Sequence, residues 1–393
     1  MTKRADLIRY IGPALIVGVA YIDPGNVAAN LAAGSQFGYS LTWVLMAASL
    51  SAWLFQYLSA KLGLVTGLSL PAQIGSRIKS KWLLAIFWIQ ALLVLIATDV
   101  AEILGGAIAL NLLFKLPFIV GGICTAVISV FLVSIRNHFP NRFNLFIVLL
   151  LATAAGGFVY NALISPISWT SLAAGFMPAG MSSNALFLAA SITGATIMPH
   201  ALYSHSSLTR DAIDGELPRK SVLRFTKLDV TIALAIAGIG NLAIMVMSAA
   251  NFSRGSETSI ESAFSLIGSQ LGNFAAITFG AALFASSLAS SSLGNFASSE
   301  VNAGLLKRNI NQYVRWLMSL LPALLLIALT SNLTYTMVVS QIVLSFGLPF
   351  AVVPLIWFTS SKAIMGEFAN KAGTKIIAWS LAAALILLNL LIL

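Results

Sequence analysis

Residues 11–33 read IGPALIVGVAYIDPGNVAANLAA, an apolar run that is interrupted near its middle by Asp23-Pro24-Gly25-Asn26. An ordinary membrane helix has about 20 apolar residues and satisfies its backbone groups internally. Pro24 lacks an N–H and clashes with the carbonyl four residues back, so it frees the carbonyl of Ala20. The pattern therefore predicts a membrane helix that breaks at mid-depth.

A second apolar run, residues 184–207, is interrupted in the same way by Met198-Pro199-His200. Pro199 frees the carbonyl of Ala195. A lone mid-span proline usually marks only a kink, but polar groups flank both prolines here, and such groups are costly in hydrocarbon. Paired discontinuous helices at corresponding positions of two repeats are typical of a transporter binding site. The two breaks therefore predict a site where they face each other.

The composition of the chain requires a membrane. Of its 393 residues, 59% are hydrophobic and only 9% are charged, whereas a soluble domain carries about 25% charged residues. No cleavable signal peptide is expected, because Met1-Thr2-Lys3-Arg4 leads directly into a full-length span. The single Cys124 lies in an apolar run and predicts neither a disulfide nor a thiolate metal site. We expect one polytopic all-α membrane domain over residues 1–393.

Apolar stretches of spanning length occur eleven times along the chain. They lie at about 11–32, 41–65, 82–112, 117–137, 143–164, 184–206, 229–250, 271–297, 313–330, 335–358 and 374–392. With a cytoplasmic amino terminus, 20 of the 22 basic residues fall inside, and only Lys115 and Arg254 fall outside. The positive-inside rule predicts this asymmetry, so the net charge of +10 reflects topology and not nucleic-acid binding. We expect a multi-pass protein of the inner membrane whose carboxyl terminus is extracytoplasmic.

The donors at the two breaks favour a transition metal. They are the Asp23 carboxylate, the Asn26 amide oxygen, the Met198 thioether and the Ala195 carbonyl, to which the Ala20 carbonyl can add. Oxygen ligands alone would suit Mg²⁺ or Ca²⁺, whereas a thioether shifts the preference toward Mn²⁺, Fe²⁺, Co²⁺ or Cd²⁺. Met198 as a flexible core filler is the alternative. One carboxylate and no thiolate predict loose binding, which suits a transported substrate and involves no resident cofactor.

Five further polar groups lie in or beside apolar spans. His200 and His205 are five residues apart, a poor spacing for joint chelation, and we interpret them as proton-handling or hydrogen-bonding groups, with packing histidines as the alternative. Asp99 and Glu102 share one face of the third span, and Arg315 at the start of the ninth is a candidate counter-charge. Intramembrane carboxylates and histidines with an arginine are typical of proton routes. A buried ion pair that only fixes helix packing is the alternative.

These residues resemble the Nramp family of proton-coupled divalent-metal transporters, over most of the chain from Ile11 to Pro354. The most specific motifs are Asp23-Pro24-Gly25-Asn26 and Ala195-Thr196-Ile197-Met198-Pro199-His200. Supporting stretches are residues 99–102 (DVAE), 107–113 (AIALNLL) and 340–345 (SQIVLS). The resemblance implies a LeuT-type fold with discontinuous helices 1 and 6. Its two inverted five-helix repeats would span residues 11–164 and 184–358, with an eleventh helix at 374–392.

The resemblance also implies roles for particular residues. The metal would be held by Asp23, Asn26, Met198 and the Ala195 carbonyl, with Ala20 and Gln341 joining in some conformations. The proton route would be lined by Asp99, Glu102, His200 and Arg315.

Two places depart from the family pattern. Residues 293–299 read LGNFASS, where a Thr-Gly-Thr-x-Ala-Gly-Gln-like stretch is usual, and Glu300 follows them. Gly347 stands where a larger residue is common. Neither touches the proposed ligands, and the sequence assigns no role to Glu300.

Other functions fit these residues less well. An amino-acid carrier of the same fold must hold a substrate carboxylate, which Asp23 would repel. Met198 disfavours a Mg²⁺ carrier of the same family, and the paired breaks favour alternating access over a channel. No His/Cys cluster, phosphate loop or nucleophile–base pair indicates an enzyme. The expected partners are divalent metal ions, protons and the lipid bilayer, and a monomer is the simplest expectation.

Overall fold

Helices make up nearly all of the structure, a computed structural model that describes residues 13–210, 218–256, 258–307 and 310–393. For residues 133, 136, 137, 140, 141, 312 and 313 it describes the backbone alone. Lys3, Arg4 and Arg9, which contribute to the predicted cytoplasmic start, lie outside the described residues, as do residues 11 and 12 of the first predicted span.

The helices follow one another with short connections. In chain order they are α1 (Pro13–Gly18), α2 (Pro24–Phe37), α3 (Thr42–Thr66), α4 (Leu70–Arg77), α5 (Lys81–Phe114), α6 (Phe118–His138), α7 (Pro140–Leu163), α8 (Trp169–Gly175), α9 (Ser183–Thr196), α10 (Pro199–Arg210), α11 (Arg219–Asn251), α12 (Ile260–Leu271), α13 (Asn273–Val301), α14 (Gln312–Leu329), α15 (Leu333–Ser360), α16 (Lys362–Met365) and α17 (Ala372–Leu391). A 3₁₀ turn, Val19–Ile22, continues α1, and a π-helical segment, Asn302–Leu306, continues α13.

The eleven predicted spans each coincide with a helix or with a pair of half-helices. Among the described residues, eight helical segments are long and apolar enough to cross a membrane. Three shorter apolar helices, Pro13–Ile22, Phe118–Leu132 and Val314–Leu329, lie in the first, fourth and ninth predicted spans. The seventh span begins at Arg219, earlier than the predicted residue 229, because arginine and lysine are good helix formers and extend the helix beyond its apolar part.

Four connecting segments contain short helices that apolar length did not predict. They are α4, α8, α12 and α16, and each has twelve or fewer residues. α12 begins with a capping box in which Ser259 and Ser262 satisfy each other's backbone N–H groups. Such helices escape a search for spans because they are too short to cross a bilayer.

Both predicted helix breaks are confirmed. Asp23 has an extended backbone (φ −87°, ψ 168°) and separates the first half-helix from α2. Ile197 (φ −109°, ψ 81°) separates α9 from α10, which starts at Pro199. Each proline opens a new helix because its missing N–H costs nothing in the first turn. The helices therefore end in pairs inside the bundle, where polar backbone groups are available to a ligand.

Glycines bring the broken helices close to their neighbours. A Cβ atom at Gly105 of α5 would lie 2.2 Å from the Cβ of Pro24. A Cβ atom at Gly194 of α9 would lie 2.0 Å from the carbonyl oxygen of Gln341 on α15. Membrane helices associate through small residues because no hydrophobic effect drives them together in lipid. The outer faces carry apolar side chains such as Leu149 and Leu325, which are 55% and 58% exposed.

We expect Gly194→Ala to lower the free energy of unfolding by about 1–3 kcal/mol, because the new methyl group would overlap backbone atoms of α15 that cannot rotate away. Thermal unfolding of the detergent-purified protein measures the effect. Gly156→Ala is the matched control, since a Cβ atom there meets nothing within 4 Å in the middle of α7. Equal unfolding temperatures for the two variants would contradict the close packing of α9 on α15.

Candidate metal site and neighbouring acidic pair

Asp23 has two different carboxylate oxygens. Oδ1 accepts hydrogen bonds from the backbone N–H of Asn26 at 2.7 Å and from the Asn26 side-chain amide at 2.8 Å. The first of these bonds makes Asp23 the N-cap of α2. Oδ2 is buried and has no hydrogen-bond partner among the described residues. One oxygen thus holds the helix start in place, and the other remains available to a ligand.

Asn26 connects the two helix breaks. Its side-chain nitrogen donates to the carbonyl oxygen of Ala195 at 2.8 Å, in addition to its bond with Asp23. Ala195 lies in the last turn of α9, so the carboxyl end of one half-helix meets the amino end of α2. The amide NH₂ group lies between two oxygens that the sequence predicts as metal ligands. The Asn26 side chain therefore bridges the two breaks.

Gln341 lies against both broken helices. A Cβ atom at Gly25 would be 1.9 Å from the Gln341 side-chain nitrogen, and the Gln341 backbone packs on Gly194. The side-chain nitrogen donates to Ser340 Oγ at 3.0 Å, while Oε1 is buried without a partner among the described residues. Only glycine at position 25 leaves room for this side chain beside the first break.

Three of the buried carboxylate and amide oxygens that lack a donor among the described residues belong to the predicted ligand residues. They are Asp23 Oδ2, Asn26 Oδ1 and Gln341 Oε1. Met198, which carries the predicted sulfur ligand, and Ala20 are also fully buried. Buried polar atoms without partners are rare because each costs about 1–3 kcal/mol. Oxygens from the first break and from α15 that lack donors could serve a bound cation as ligands.

The donor set differs from a resident metal centre. The described residues contain no group of three or more His, Cys, Asp or Glu side chains that could hold a metal ion. The site offers one carboxylate, neutral amide and carbonyl oxygens and one thioether. Such a set carries a single formal charge, whereas structural metal sites often have several charged ligands.

A cavity of about 760 Å³ opens at one end of the bundle. It lies between the end of α2, the start of α9 and the start of α15, and Leu391, Ile392 and Leu393 at the carboxyl terminus border it. Ala32, Leu188 and Val338 are among its lining residues. Asp23, Asn26, Ala195, Met198 and Gln341 are all fully buried. The candidate site is therefore closed off from this cavity, which we call the vestibule.

The predicted acidic pair lies on α5, and each carboxylate accepts a hydrogen bond from a serine hydroxyl. Ser319 of α14 donates to Asp99 Oδ2, and Ser290 of α13 donates to Glu102 Oε1. Glu102 is fully buried and interacts electrostatically with Asp99 and with Asp23. Arg315 on α14 interacts electrostatically with Asp99. The acidic pair therefore interacts electrostatically both with the candidate metal site, through Asp23, and with the predicted counter-charge.

The two histidines of α10 have different surroundings. His200 Nδ1 lies 3.3 Å from the hydroxyl of Thr98, which directly precedes Asp99 on α5. His200 Nε2 and both ring nitrogens of His205 are buried without hydrogen-bond partners among the described residues. The structure thus places His200 beside the helix that carries the acidic pair. Within the described part of the chain no hydrogen bond joins His205 to that pair. A role in proton movement stays a prediction for both histidines.

Glu300 and Gly347, which depart from the family pattern, both lie at contacts between helices. Glu300, near the end of α13, forms an ion pair with Arg210 at the end of α10, at 3.3 Å. Gly347 lets α15 approach α5, because a Cβ atom there would lie 2.3 Å from Cγ2 of Val94. Both therefore concern contacts between helices and not the candidate ligands.

Sequence reasoning missed the serines of α13. Ser286 Oγ donates to the carbonyl oxygen of Ile22, and Ser287 Oγ donates to that of Glu102 at 2.7 Å. Together with Ser290 they form a polar stripe that contacts the first break and the acidic pair. The recurrence of serine pairs four residues apart, Ser286-Ser287 and Ser290-Ser291, is the signal that could have revealed a buried polar helix face.

The arrangement of the helices is similar to that of a solved membrane protein. A solved structure of MhsT in complex with L-phenylalanine matches with a TM-score of 0.64 at 12% identity, covering 98% of both chains. At this identity the likeness shows the fold alone, and it confirms the LeuT-type helical membrane fold. The predicted boundaries of the two repeats, residues 11–164 and 184–358, stay a prediction.

The family follows from closer matches. A model of the family described as "Natural resistance-associated macrophage protein-like" (Nramp) matches residues 14–393. The divalent metal cation transporter MntH of Mycobacterium tuberculosis is 45% identical over 387 residues, which cover 97% of this chain and 90% of that protein. A crystal structure of the manganese transporter of Eremococcus coleocola matches this structure with a TM-score of 0.84 at 29% identity. The match covers 98% of this chain and 86% of the transporter chain. The chain belongs to the Nramp family and is a multi-pass membrane protein.

Proposed function

We propose that this protein imports divalent transition-metal ions, chiefly Mn²⁺ or Fe²⁺ and also Co²⁺ and Cd²⁺, together with protons. The observation that supports this function most directly is the meeting of two broken helices around Asp23 Oδ2, Asn26 Oδ1 and Gln341 Oε1, none of which has a donor among the described residues. MntH proteins with 37–45% identity are named as divalent metal cation transporters.

The ligand chemistry supports a transition metal over Mg²⁺. Mg²⁺ requires six oxygens in nearly ideal octahedral geometry and gains nothing from sulfur. Met198 lies three residues after Ala195, in the link between α9 and α10, and is fully buried in the second break. Its thioether favours softer ions. The single carboxylate also disfavours an amino-acid substrate, whose own carboxylate Asp23 would repel.

The acidic pair supports proton coupling. Glu102 interacts electrostatically with Asp23 on one side and with Asp99 on the other, and Asp99 interacts with Arg315. Adding a positive metal ion beside Asp23 favours loss of a proton from Glu102. The metal ion and the proton are both positive, and they repel each other strongly in a medium of low dielectric constant. Metal entry and proton movement would then be linked without sharing a ligand.

The broken helices support alternating access. The candidate ligands are fully buried, while the vestibule of about 760 Å³ approaches them from the end that carries Leu393. Rigid-body movement of one repeat against the other would expose the site to each side in turn. We assign the vestibule to the extracytoplasmic side of the inner membrane and the amino terminus to the cytoplasm, in agreement with the positions of the basic residues. A monomer suffices, because one chain supplies every ligand, and no resident cofactor is required.

Uptake of radiolabelled Mn²⁺ into proteoliposomes, with and without an inward proton gradient, tests this function. We expect uptake above that of empty liposomes, faster with the gradient, and accompanied by acidification of the lumen. Uptake equal to that of empty liposomes for Mn²⁺, Fe²⁺ and Cd²⁺ would reject metal transport. Mn²⁺ uptake without any proton movement would reject the coupling alone.

We expect Met198→Ala to change selectivity. Loss of the thioether should reduce Cd²⁺ uptake more than Mn²⁺ uptake, and the vacated volume should admit a water that lets Ca²⁺ compete better. Parallel uptake of Cd²⁺, Mn²⁺ and Ca²⁺ measures this change. Met247→Ala is the matched control, because Met247 is equally buried on α11 away from the breaks. Equal proportional losses in Met198→Ala, with Ca²⁺ still excluded, would identify Met198 as a packing residue.

A further inference from the structure

Two serines one turn apart on α13 contact groups from different spans. Ser286 Oγ donates to the carbonyl oxygen of Ile22, the last residue of the 3₁₀ turn before Asp23. Ser290 Oγ donates to Glu102 Oε1 on α5. Both serines are buried and lie on the same helix face, since residues four apart are one above the other. α13 therefore contacts the first break and Glu102 through the same face.

Further contacts fix α13 against α5 at this level. Ser287 Oγ donates to the backbone carbonyl of Glu102 at 2.7 Å. A Cβ atom at Gly294 would lie 2.8 Å from Asp99 Oδ1, so glycine allows α13 to approach the acidic pair. The backbone and the carboxylate of Glu102 are thus both held by α13, and the position of α13 determines where the Glu102 carboxylate lies.

The charged groups that act on Glu102 and on its neighbour Asp99 come from elements other than α13. Asp99 lies on α5 itself, Asp23 lies at the first break, and Arg315 on α14 acts on Asp99. The contacts of α13 with Glu102 come from neutral serines. A serine hydroxyl has one donor and two acceptor positions, and it can rotate between them. Ser290 can therefore donate to the ionised carboxylate and accept from the protonated acid without moving its backbone.

We infer that Ser290 is a positioning residue for the proton-carrying carboxyl group of Glu102, and that Ser286 and Ser290 together link the first helix break to Glu102 through α13. This inference rests on the proposed proton-coupled metal transport and adds the element that connects its two sites. A shift of the Ile22 carbonyl, which adjoins Asp23, moves Ser286 and, through the rigid helix, the hydroxyl that holds Glu102.

The test compares Ser290→Ala with Ser292→Ala in proteoliposomes that report lumenal pH and Mn²⁺ together. Ser292 is an equally buried serine of α13 that donates only to the carbonyl of Leu288 in its own helix, at 3.0 Å. A hydrogen bond to a charged group contributes roughly tenfold to an equilibrium constant. We expect Ser290→Ala to lower the number of protons moved per Mn²⁺ by about threefold or more. Ser292→Ala should match the wild type.

Three measurements separate positioning from loss of structure. The Mn²⁺ affinity of Ser290→Ala, measured calorimetrically, should stay within about threefold of the wild type, because Ser290 contacts no candidate ligand. Ser290→Thr retains the hydroxyl and should restore the proton-to-metal ratio. Ser286→Ala should lower the same ratio, and the double variant should lose little more, since linked residues give non-additive effects.

The outcomes distinguish this inference from the proposed function. A wild-type protein that transports Mn²⁺ with protons, together with a Ser290→Ala variant of unchanged proton-to-metal ratio, would overturn the role of Ser290 alone. Additive effects of the Ser286 and Ser290 substitutions would overturn the link through α13. A wild-type protein without metal uptake would reject the proposed function itself, before any serine variant is compared.

Discussion

Asp23→Ala should abolish metal uptake, with a loss of at least about hundredfold, because it removes the only carboxylate among the candidate ligands. Breaking a buried charge interaction costs about 3–5 kcal/mol, which corresponds to more than a hundredfold in affinity. Asn26→Ala should be damaging to a smaller extent, since water can replace a neutral oxygen. Mn²⁺ uptake in proteoliposomes and calorimetric Mn²⁺ binding measure both losses.

Asp23→Asn separates the charge of Asp23 from its structural role. Asp23 Oδ1 caps α2 by accepting from the Asn26 backbone N–H, and asparagine caps helices about as well as aspartate. We expect Asp23→Asn to retain the unfolding temperature of the wild type and to lose transport, whereas Asp23→Ala also loses about 1 kcal/mol of stability. Nearly normal Mn²⁺ uptake by a folded Asp23→Asn protein would show that the metal binds elsewhere.

Glu102→Gln should uncouple protons from metal. Glutamine has the same shape and keeps an acceptor oxygen for the Ser290 hydroxyl, but it can neither carry nor release the proton. We expect Mn²⁺ affinity to change by less than about threefold, while the proton flux that accompanies Mn²⁺ uptake disappears. Simultaneous recording of lumenal pH and lumenal Mn²⁺ gives the number of protons moved per Mn²⁺ directly.

Glu300→Gln provides the control for Glu102→Gln, because Glu300 belongs to a different contact. Glu300 pairs with Arg210 at the ends of α13 and α10, and partly exposed ion pairs contribute only about 0–1 kcal/mol. Glu300→Gln should therefore keep the wild-type proton-to-metal ratio. Asp99→Asn should resemble Glu102→Gln, because Asp99 joins Glu102 to Arg315 electrostatically. Unchanged coupling in both Asp99→Asn and Glu102→Gln would remove this pair from the proton route.

The helix breaks could be predicted because their cause is local. Pro24 and Pro199 each remove one backbone donor within their own span, and the structure begins α2 and α10 at these residues. The eleven spans could be predicted for a similar reason, since hydrophobic length is a property of consecutive residues. The short helix α4 could not, because a segment of eight residues has no such signature.

The partners of the candidate site residues depend on distant parts of the chain. The bond from Asn26 to the Ala195 carbonyl joins residues 169 positions apart, and the bond from Ser290 to Glu102 joins residues 188 apart. Nothing in a single sequence indicates which of its distant residues will contact each other. The same holds for Glu300, whose partner Arg210 lies on another span.

The sequence by itself determined the membrane-embedded helical class, the two breaks and the chemical types of the candidate ligands. These follow from hydropathy, proline geometry and side-chain chemistry, which act within a few residues. Only the tertiary structure decided that Gln341 lies against Gly25, that α13 holds Glu102 through Ser290, and that the candidate ligands are closed off from the vestibule. Those features depend on how helices pack, and small residues such as Gly105 and Gly194 set that packing by the distance to which they let neighbouring backbones approach.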